Sequence, residues 1–391
     1  KDENGKITEY DSKEKELSIA PGILTDDPDS VLTNPDIDII IEVLGGIHPA
    51  YEFIKKALEN KKHVVTANKA LIATHGKELL KIANENQVAL RYEASVGGGI
   101  PIINTLSNAL NANEFEEIVG IVNGTTNYIL TQMTDYGFDY SEVLKIAQEK
   151  GFAEADPTSD VEGEDAAYKL SILMTTIFGV EVDPMDIPRE GITKISKDDI
   201  EYASQFGYKI KLLATARKLK DKLVYHVHPT LIPKNHPLAS VSNEFNALFI
   251  KGNAVGELML YGKGAGSLPT GSAIIGDVIE IAKIIGTDFN PCISIPEKNQ
   301  NLRLSGEDSS KYYIHFRLED KPGALGTITT AFGENGISIE TIMQKSRGEQ
   351  YVPVIFILHE CTRQQLDTTL NQIVNYDAVK EIRSILGVRQ N

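Results

Sequence analysis

The stretch from Glu149 to Leu170, EKGFAEADPTSDVEGEDAAYKL, gathers more chemically useful side chains than any other part of the chain. Glu154 sits in a loop punctuated by Gly151 and Pro157, ahead of a helix whose cap is expected at Ser159 or Asp160. Asp165 and Lys169 are i,i+4 on that helix and so share a face. The face borders an apolar stripe of Ala166, Leu170, Leu173 and Ile177. A lysine beside a core-facing stripe is partly desolvated, which moves its pKa down towards a value useful for proton transfer. The same spacing also describes an ordinary surface ion pair. Taken alone that reading is favoured, because such pairs are common.

A second lysine, Lys69, closes the run Val65-Thr66-Ala67-Asn68-Lys69 after an expected parallel strand. The carboxyl ends of such strands are where open α/β sheets bind ligands. There Lys69 could reach a cofactor amide or a substrate carboxylate, or simply open a helix in solvent. A positive charge at a helix N-terminus opposes the dipole, which weighs towards function. Asn123-Gly124-Thr125-Thr126-Asn127 also joins a strand to a helix start. Exposed N–H groups and hydroxyls there suit a carboxylate, and helix capping explains Thr125 equally well. The glycine clusters Gly97–Gly99 and Gly262-Lys263-Gly264-Ala265-Gly266 permit close backbone approach, but no G-x-G-x-x-G follows an opening strand. His226 and His228 alternate on a strand without acidic or cysteine partners at metal-ligand spacing, so they read as structural.

The elements that must hold these residues follow from the hydrophobic pattern. Residues 1–22 are polar and are assigned no firm structure. Asp36–Val43 and His63–Thr66 are β-branched runs, Val88–Val96 is a third strand, and helices are expected over residues 49–62 and 69–86. This alternation implies a Rossmann-like parallel sheet with right-handed crossovers. A helix is expected from Pro101, a strand at Phe115–Val122, and helices at about 126–135, 140–150 and 160–178. One amphipathic stretch, Lys197–Lys218, precedes strands at Leu223–Ile232, Ala247–Lys251 and Glu257–Tyr261 and an apolar helix, Ser272–Ile285. Strand, helix, strand, strand, helix, strand then alternate from Tyr312 to Leu386, the order of a ferredoxin-like unit. The fold class is therefore α/β. A Rossmann-like domain spans residues 1–111, completed by a helix near 270–290. An α+β catalytic and dimerisation domain spans 112–295, a polar linker 296–310, and a βαββαβ unit 311–391.

The chain has 391 residues, with 39 basic and 55 acidic side chains and a net charge of −16. That balance argues against a general nucleic-acid binder, which a phosphate backbone would repel. No apolar run approaches the ~18 residues that span a bilayer, and no charged-then-apolar leader is evident, so neither a membrane protein nor an exported one is expected. Two cysteines, Cys292 and Cys361, cannot build a disulfide framework or a zinc cage. The expected setting is the reducing cytoplasm.

Taken in order, DPDSVLTNPDIDIIIEVLGG, VTANKA, YEASVGGGIPII, NGTTNYIL, GFAEADPTSDVEGEDAAYKL, YGKGAGSLPTGSA and DKPGALGTI resemble the homoserine dehydrogenases that carry a C-terminal ACT regulatory domain. The resemblance covers about residues 24–391, and Glu154, Asp165 and Lys169 keep the family's spacings of 11 and 4. It implies an oxidoreductase that uses NADP or NAD to interconvert L-homoserine and L-aspartate 4-semialdehyde, in threonine, methionine and isoleucine biosynthesis. Lys169 is then the proton donor and acceptor, and Glu154 and Asp165 hold the substrate ammonium. Asp160 and Thr125 match further substrate-pocket positions, and Lys69 lies near both cofactor and substrate. Gly45, Gly151 and Gly266 match backbone positions around the cofactor. A monovalent cation, sodium, is implied at Glu93, Val96, Gly98 and Ile100, a suitable hard-oxygen set.

The family opens with a strand and a glycine-rich loop that have no match here. The numbering starts on Lys1, so an upstream segment of a few tens of residues is expected. At the other end, Asp320, Gly323 and Ala324 lie in a strand-to-helix loop whose uncovered N–H groups are expected to take an amino-acid effector's carboxylate, L-threonine first. A homodimer or homotetramer is implied. Two rivals stand beside this reading. A phosphoglycerate-type dehydrogenase would need a histidine–glutamate pair that is not evident. A catalytically impaired, amino-acid-sensing ACT protein would follow if the glycine loop were truly absent.

Overall fold

The computed structural model describes residues 7–8, 16–17, 22–287, 293, 302–305, 309–345 and 350–389. Within the opening polar segment, β1 (Ile7–Thr8) and β2 (Glu16–Leu17) form a two-residue antiparallel pair. Cys292 and most of the expected linker lie outside the described residues.

The first domain opens with α1 (Pro28–Leu32), capped by Asp27 and carrying proline in its first turn. Next come β3 (Ile39–Glu42), α2 (Ala50–Glu59), β4 (His63–Thr66), α3 (Lys69–Asn86) and β5 (Leu90–Arg91). The strands pair in parallel in the order β3-β4-β5. Adjacent valines explain why β4 reads as an unbroken apolar run. Val64 packs with Ile54, Leu71 and Leu79 on one face, and Val65 with Ala89 and Ile281 on the other. A strand buried on both faces has no polar side to show. The third strand is shorter than Val88–Val96. After Arg91 the chain turns into a 3-10 segment, Glu93–Ser95, whose glutamate folds back to accept the N–H groups of Ile103 and Asn104. That carboxylate also explains why the helix expected from Pro101 starts later, with residues 105–109 in a π-type turn.

β6 (Phe115–Ile121) begins the second domain and leads into α4 (Gly124–Tyr136), α5 (Tyr140–Glu149), α6 (Thr158–Val161) and α7 (Glu164–Phe178). The helix expected over 160–178 is thus two. Gly163 at φ +80° separates them, a conformation that suits glycine. The N-cap of α6 is Pro157, not Ser159 or Asp160, and Asp156 just before it accepts from the Thr158 N–H at 3.1 Å and its hydroxyl at 2.6 Å. The expected amphipathic stretch Lys197–Lys218 is also two elements. α8 (Lys197–Gln205) starts in a Ser196–Asp199 capping box, and left-handed Gly207 then hands over to β7 (Tyr208–Leu219). β8 (Lys222–Pro233), β9 (Phe245–Gly252), β10 (Gly256–Lys263) and α9 (Ser267–Ile284) complete the domain. The strands run β10-β9-β6-β7-β8, and α9 returns to cover the open face of the parallel sheet.

β11 (Arg303–Ser305) falls inside the expected linker and pairs in parallel with β8. The C-terminal unit is β12 (Ser309–Glu319), α10 (Ala324–Glu334), β13 (Ile339–Gln344), β14 (Tyr351–Thr362), α11 (Arg363–Ile373) and β15 (Val379–Val388). Its core gathers Phe316, Phe332 and Phe356, with ring centres 5.4 to 6.4 Å apart. β15 pairs with β8 through Gly387 opposite Thr230 and Val388 opposite Leu231, so the two sheets become one ten-stranded sheet. Asp199 of α8 is fully buried in this seam and accepts from Tyr313, His315 and Ser384 of the C-terminal unit. Arg389 clamps Glu117 of β6 through two bonds of 3.0 and 2.7 Å.

Candidate active site

Asp165 and Lys169 occupy the first turns of α7, and their i,i+4 pair is not on the surface. Asp165 is 2% exposed, and Lys169 Nζ donates to its Oδ2 at 2.7 Å and to the Val122 carbonyl at 2.7 Å. Lys69, the first residue of α3, donates to Asp165 Oδ1 from the parallel-sheet domain. The amide of Asn123, at the end of β6, donates to Asp165 Oδ2 at 2.8 Å and to Asp160 Oδ1 at 2.7 Å. Three segments, α7, α3 and the end of β6, therefore converge on one carboxylate.

The electrostatics follow. Burial alone would push the Asp165 carboxyl up, but Lys169 and Lys69 outweigh it and hold that carboxyl far below the usual range. Burial likewise works against the charge on Lys69. Asp165 overrides it, helped by Asp160 and Glu154, and raises the ammonium's pKa above its ordinary value. Glu154 is exposed on its loop, and its influence on Lys69 places it in the same cluster. The two oxygens of Asp165 accept three protein donors, which orients the lysines and leaves one lone-pair direction for a further donor.

Thr125 is not the cap of α4. Asn123 Oδ1 accepts from Thr126 N at 2.8 Å, while the Thr125 hydroxyl donates to the Phe152 carbonyl at 2.6 Å and ties α4 to the Glu154 loop. Asn123 and the Val122 carbonyl had no place among the expected site residues. The signal for Asn123 was its position: asparagine before a helix start is a strong N-cap, and its amide retains two donors after capping.

The ends of β3 and β4 shape the neighbouring crest. The Thr66 hydroxyl donates to Glu42 at 2.6 Å, and Asn68 donates to the Gly46 carbonyl at 2.5 Å while capping α3. Gly45 and Gly46 are both left-handed, with open space where a Cβ would stand. Gly151, also left-handed and open, sits beside Phe152. This exposed backbone next to Lys69 fits a nicotinamide cofactor lying across the strand ends. The two glycine clusters meet each other. A Cβ on Gly98 would lie 2.5 Å from the Gly264 carbonyl, Gly99 N–H donates to the Lys263 carbonyl at 3.0 Å, and Gly266 opens α9 at φ +115°.

The turn from Glu93 to Ile100 is buried except at Ala94 and Gly99. Each Glu93 oxygen accepts one backbone N–H and keeps a second lone pair, and the Ile100 carbonyl accepts from Ile102 at 2.8 Å. No N–H among the described residues reaches the Val96 or Gly98 carbonyl. This all-oxygen set fits a hard monovalent cation.

In the C-terminal loop the Ala324 N–H is not uncovered, contrary to expectation: it donates to the Lys321 carbonyl at 3.2 Å, because the chain closes a tight turn there. Gly323 is left-handed with nothing near its Cβ position, and the Asp320 N–H donates to the Gln350 carbonyl at 3.0 Å. A cleft of about 980 Å³ opens elsewhere, between the sheet and the C-terminal unit, lined by Arg189, His226, His228, Arg363 and Arg389. No candidate site residue reaches it, and the convergence on Asp165 marks the chemistry better than cavity size does. The His226 and His228 rings stack there at 4.5 Å, and burial pushes the His228 pKa far down.

Comparison with known proteins shows the family. The family described as homoserine dehydrogenase matches residues 101–279, the homoserine dehydrogenase NAD-binding domain matches 5–93, and the ACT domain matches 312–377. A homoserine dehydrogenase of Synechocystis is 42% identical over 386 residues, covering 96% of this chain and 89% of that protein. The crystal structure of a homoserine dehydrogenase from Thiobacillus denitrificans superposes with a TM-score of 0.85 at 38% identity, covering 94% of this chain and 85% of the other. A hyperthermophilic archaeal homoserine dehydrogenase in complex with NADPH superposes with a TM-score of 0.57 at 29% identity, covering 70% and 77%. With a nicotinamide-binding domain, the clasped Asp165–Lys169 pair and an ACT unit in one chain, this protein belongs to the homoserine dehydrogenase family of oxidoreductases.

Proposed function

We propose that Lys169 takes the hydroxyl proton when L-homoserine is oxidised to L-aspartate 4-semialdehyde, and returns it in the reverse direction. One observation carries this reading: Lys169 is held by Val122 and Asp165 in two of its three hydrogen-bonding directions. Neutral Lys169 spends both amine hydrogens on those acceptors and presents its lone pair along the third. Protonated Lys169 presents an N–H there instead. A nicotinamide cofactor, when bound, supplies the hydride acceptor. Lys69 stays protonated and balances the Asp165 charge whichever form Lys169 is in. Glu154 and Asp160 carry the negative charge that attracts the substrate ammonium, and Thr125 fixes the loop that presents Glu154. Gly45, Gly151 and Gly266 leave backbone open around either NAD or NADP.

The carbonyls of Val96, Gly98 and Ile100, with Glu93, would hold a sodium ion that stiffens the turn against the Gly264 loop. In the ACT unit the loop from Asp320 to Ala324 takes an amino-acid effector, L-threonine first, in a cytoplasmic homodimer or homotetramer. Absorbance at 340 nm with homoserine and each nicotinamide cofactor tests the reaction. Lys169→Met should lower kcat by about 10³-fold while leaving homoserine and cofactor affinities within about tenfold. Retention of more than about a tenth of kcat would remove Lys169 from the proton transfer.

A further inference from the structure

Asn123 stands where the cluster's two most enclosed acidic side chains meet. It is 5% exposed, and its single amide nitrogen lies 2.7 Å from Asp160 Oδ1 and 2.8 Å from Asp165 Oδ2. Its carbonyl oxygen points the other way, accepting the Thr126 N–H at 2.8 Å and the Thr126 hydroxyl at 2.9 Å. Every polar atom of the side chain is therefore used, and the orientation of the amide is set by helix α4. A carboxamide can cap a helix and donate twice at once. An isosteric carboxylate can cap equally well, but it donates only when protonated, and then once.

We propose that Asn123 is a positioning residue that holds Asp160 and Asp165 side by side, the first presented to the substrate ammonium and the second committed to Lys169. The inference rests on the proton-transfer reading above and deepens it. Carboxylates facing one another normally share a proton, because both cannot ionise at close range. Here two N–H donors from one neutral group stand between them. The charged groups that complete the surroundings are Lys169 on the same helix as Asp165, Lys69 from α3 and Glu154 from the loop before α6. If Asn123 were lost, Lys169 would remain bonded to an aspartate whose second contact had changed. The effect would therefore appear in catalysis as well as in binding.

Asn123→Asp tests the idea, because it preserves the cap and the shape while removing both donors. Three carboxylates then crowd one point, and one of them holds a proton into the neutral range. At low pH that proton stands in for an amide hydrogen; at high pH it leaves and repulsion spreads the cluster. The ratio of wild-type to variant kcat/KM for homoserine should rise by about tenfold or more between pH 6.5 and 9, following a single proton. Asn123→Ser, which caps without adding charge, should show a loss that does not change with pH.

Thermal melts give a readout that needs no turnover. A carboxyl whose folded pKa is raised contributes stability below its unfolded pKa, and that stability is lost as pH rises through the folded pKa. The Tm gap between the Asp and Ser variants should therefore widen with pH. A widening gap with a rising activity ratio supports the proposal. A flat Tm gap overturns it, whatever the activity. A widening gap in a protein whose wild type does not oxidise homoserine would support the carboxylate arrangement and overturn the reaction assigned to it.

Discussion

Asp165 and Asp199 are both buried carboxylates on helices of the central domain, 2% and 0% exposed, and both are crowded with donors. Their partners set them apart. Asp165 is met by two lysines and an amide, and the Lys69 side chain remains 43% exposed, opening the cluster to solvent. Asp199 is met by Tyr313 at 2.9 Å, His315 at 2.8 Å, Ser384 at 2.7 Å and the Ser196 hydroxyl at 2.6 Å. The side chains in its contact with His315 are fully sealed. Burial would raise both carboxyls, yet both end below their ordinary range, because donors and cations outweigh desolvation. A carboxylate whose partners are ammonium groups with a path to solvent can take part in proton transfer. One whose partners are fixed side chains of another domain can only fasten the two together.

Asp165→Asn should produce the largest effect. It removes the charged acceptor that aims Lys169, so kcat should fall by about 10²-fold or more. Lys69 also loses the carboxylate that raises its pKa, so burial pulls that pKa down and the surviving activity should peak at lower pH than wild type. A kcat within threefold of wild type, across a pH series, would equate Asp165 with a structural aspartate. Asp199→Ala should act on the other axis. It strands Tyr313, His315 and Ser384 in a dry seam and should cost about 3 kcal/mol, seen as a first melting transition roughly 5–10 °C lower. The kcat of the folded enzyme should stay within about twofold, since no atom of Asp199 faces the cluster. Unchanged melting with collapsed kcat would reverse the comparison.

A third buried aspartate sharpens the contrast with a smaller effect. Asp277 of α9 is 4% exposed and accepts the Glu93 N–H at 3.0 Å, but among the described residues no lysine pairs with it. Burial pushes its pKa up to about 7, and the charges of Glu93 and Glu280 add to the rise, while the Glu93 N–H and Arg91 offset it only in part. A raised folded pKa means stability that is complete below the unfolded value near 3.8 and is lost as pH rises through about 7. Asp277→Asn keeps an acceptor for Glu93 and removes the titration. It should leave Tm unchanged near pH 4 and raise it by several degrees at pH 8, by about as much as a few kcal/mol allows. Equal melting of the two proteins at pH 8 would show that the missing cation has no cost at this site.

Much of this organisation was legible in the chain. Runs such as Ile39–Glu42 and His63–Thr66 are short, β-branched and bounded by turn residues, so local sterics alone identify them. The βαββαβ order of the last 80 residues needs only alternation and periodicity. The spacing of Asp165 and Lys169 places them on one helix face without knowledge of the fold. Where sequence reading failed locally, a side chain remote in the chain had intervened. Glu93 reaches ten residues forward to delay a helix. Pro157 stands at the N-cap where Ser159 or Asp160 was expected, with Asp156 accepting the Thr158 N–H, and a single left-handed Gly207 divides one amphipathic stretch into helix and strand.

What the sequence by itself determined is the set of elements and the pairs that one element can bring together, because those depend on dihedral preference and period over a few residues. The tertiary structure alone decided that Lys69 meets Asp165 across 96 positions, and that Asn123 stands between two aspartates 37 and 42 positions away. It also decided that the C-terminal unit continues the central sheet instead of hanging from a linker. Such contacts are made by elements whose own patterns are indifferent to them. They become favourable only once packing has removed water, and the energy of a buried charge depends on what the rest of the chain has placed beside it.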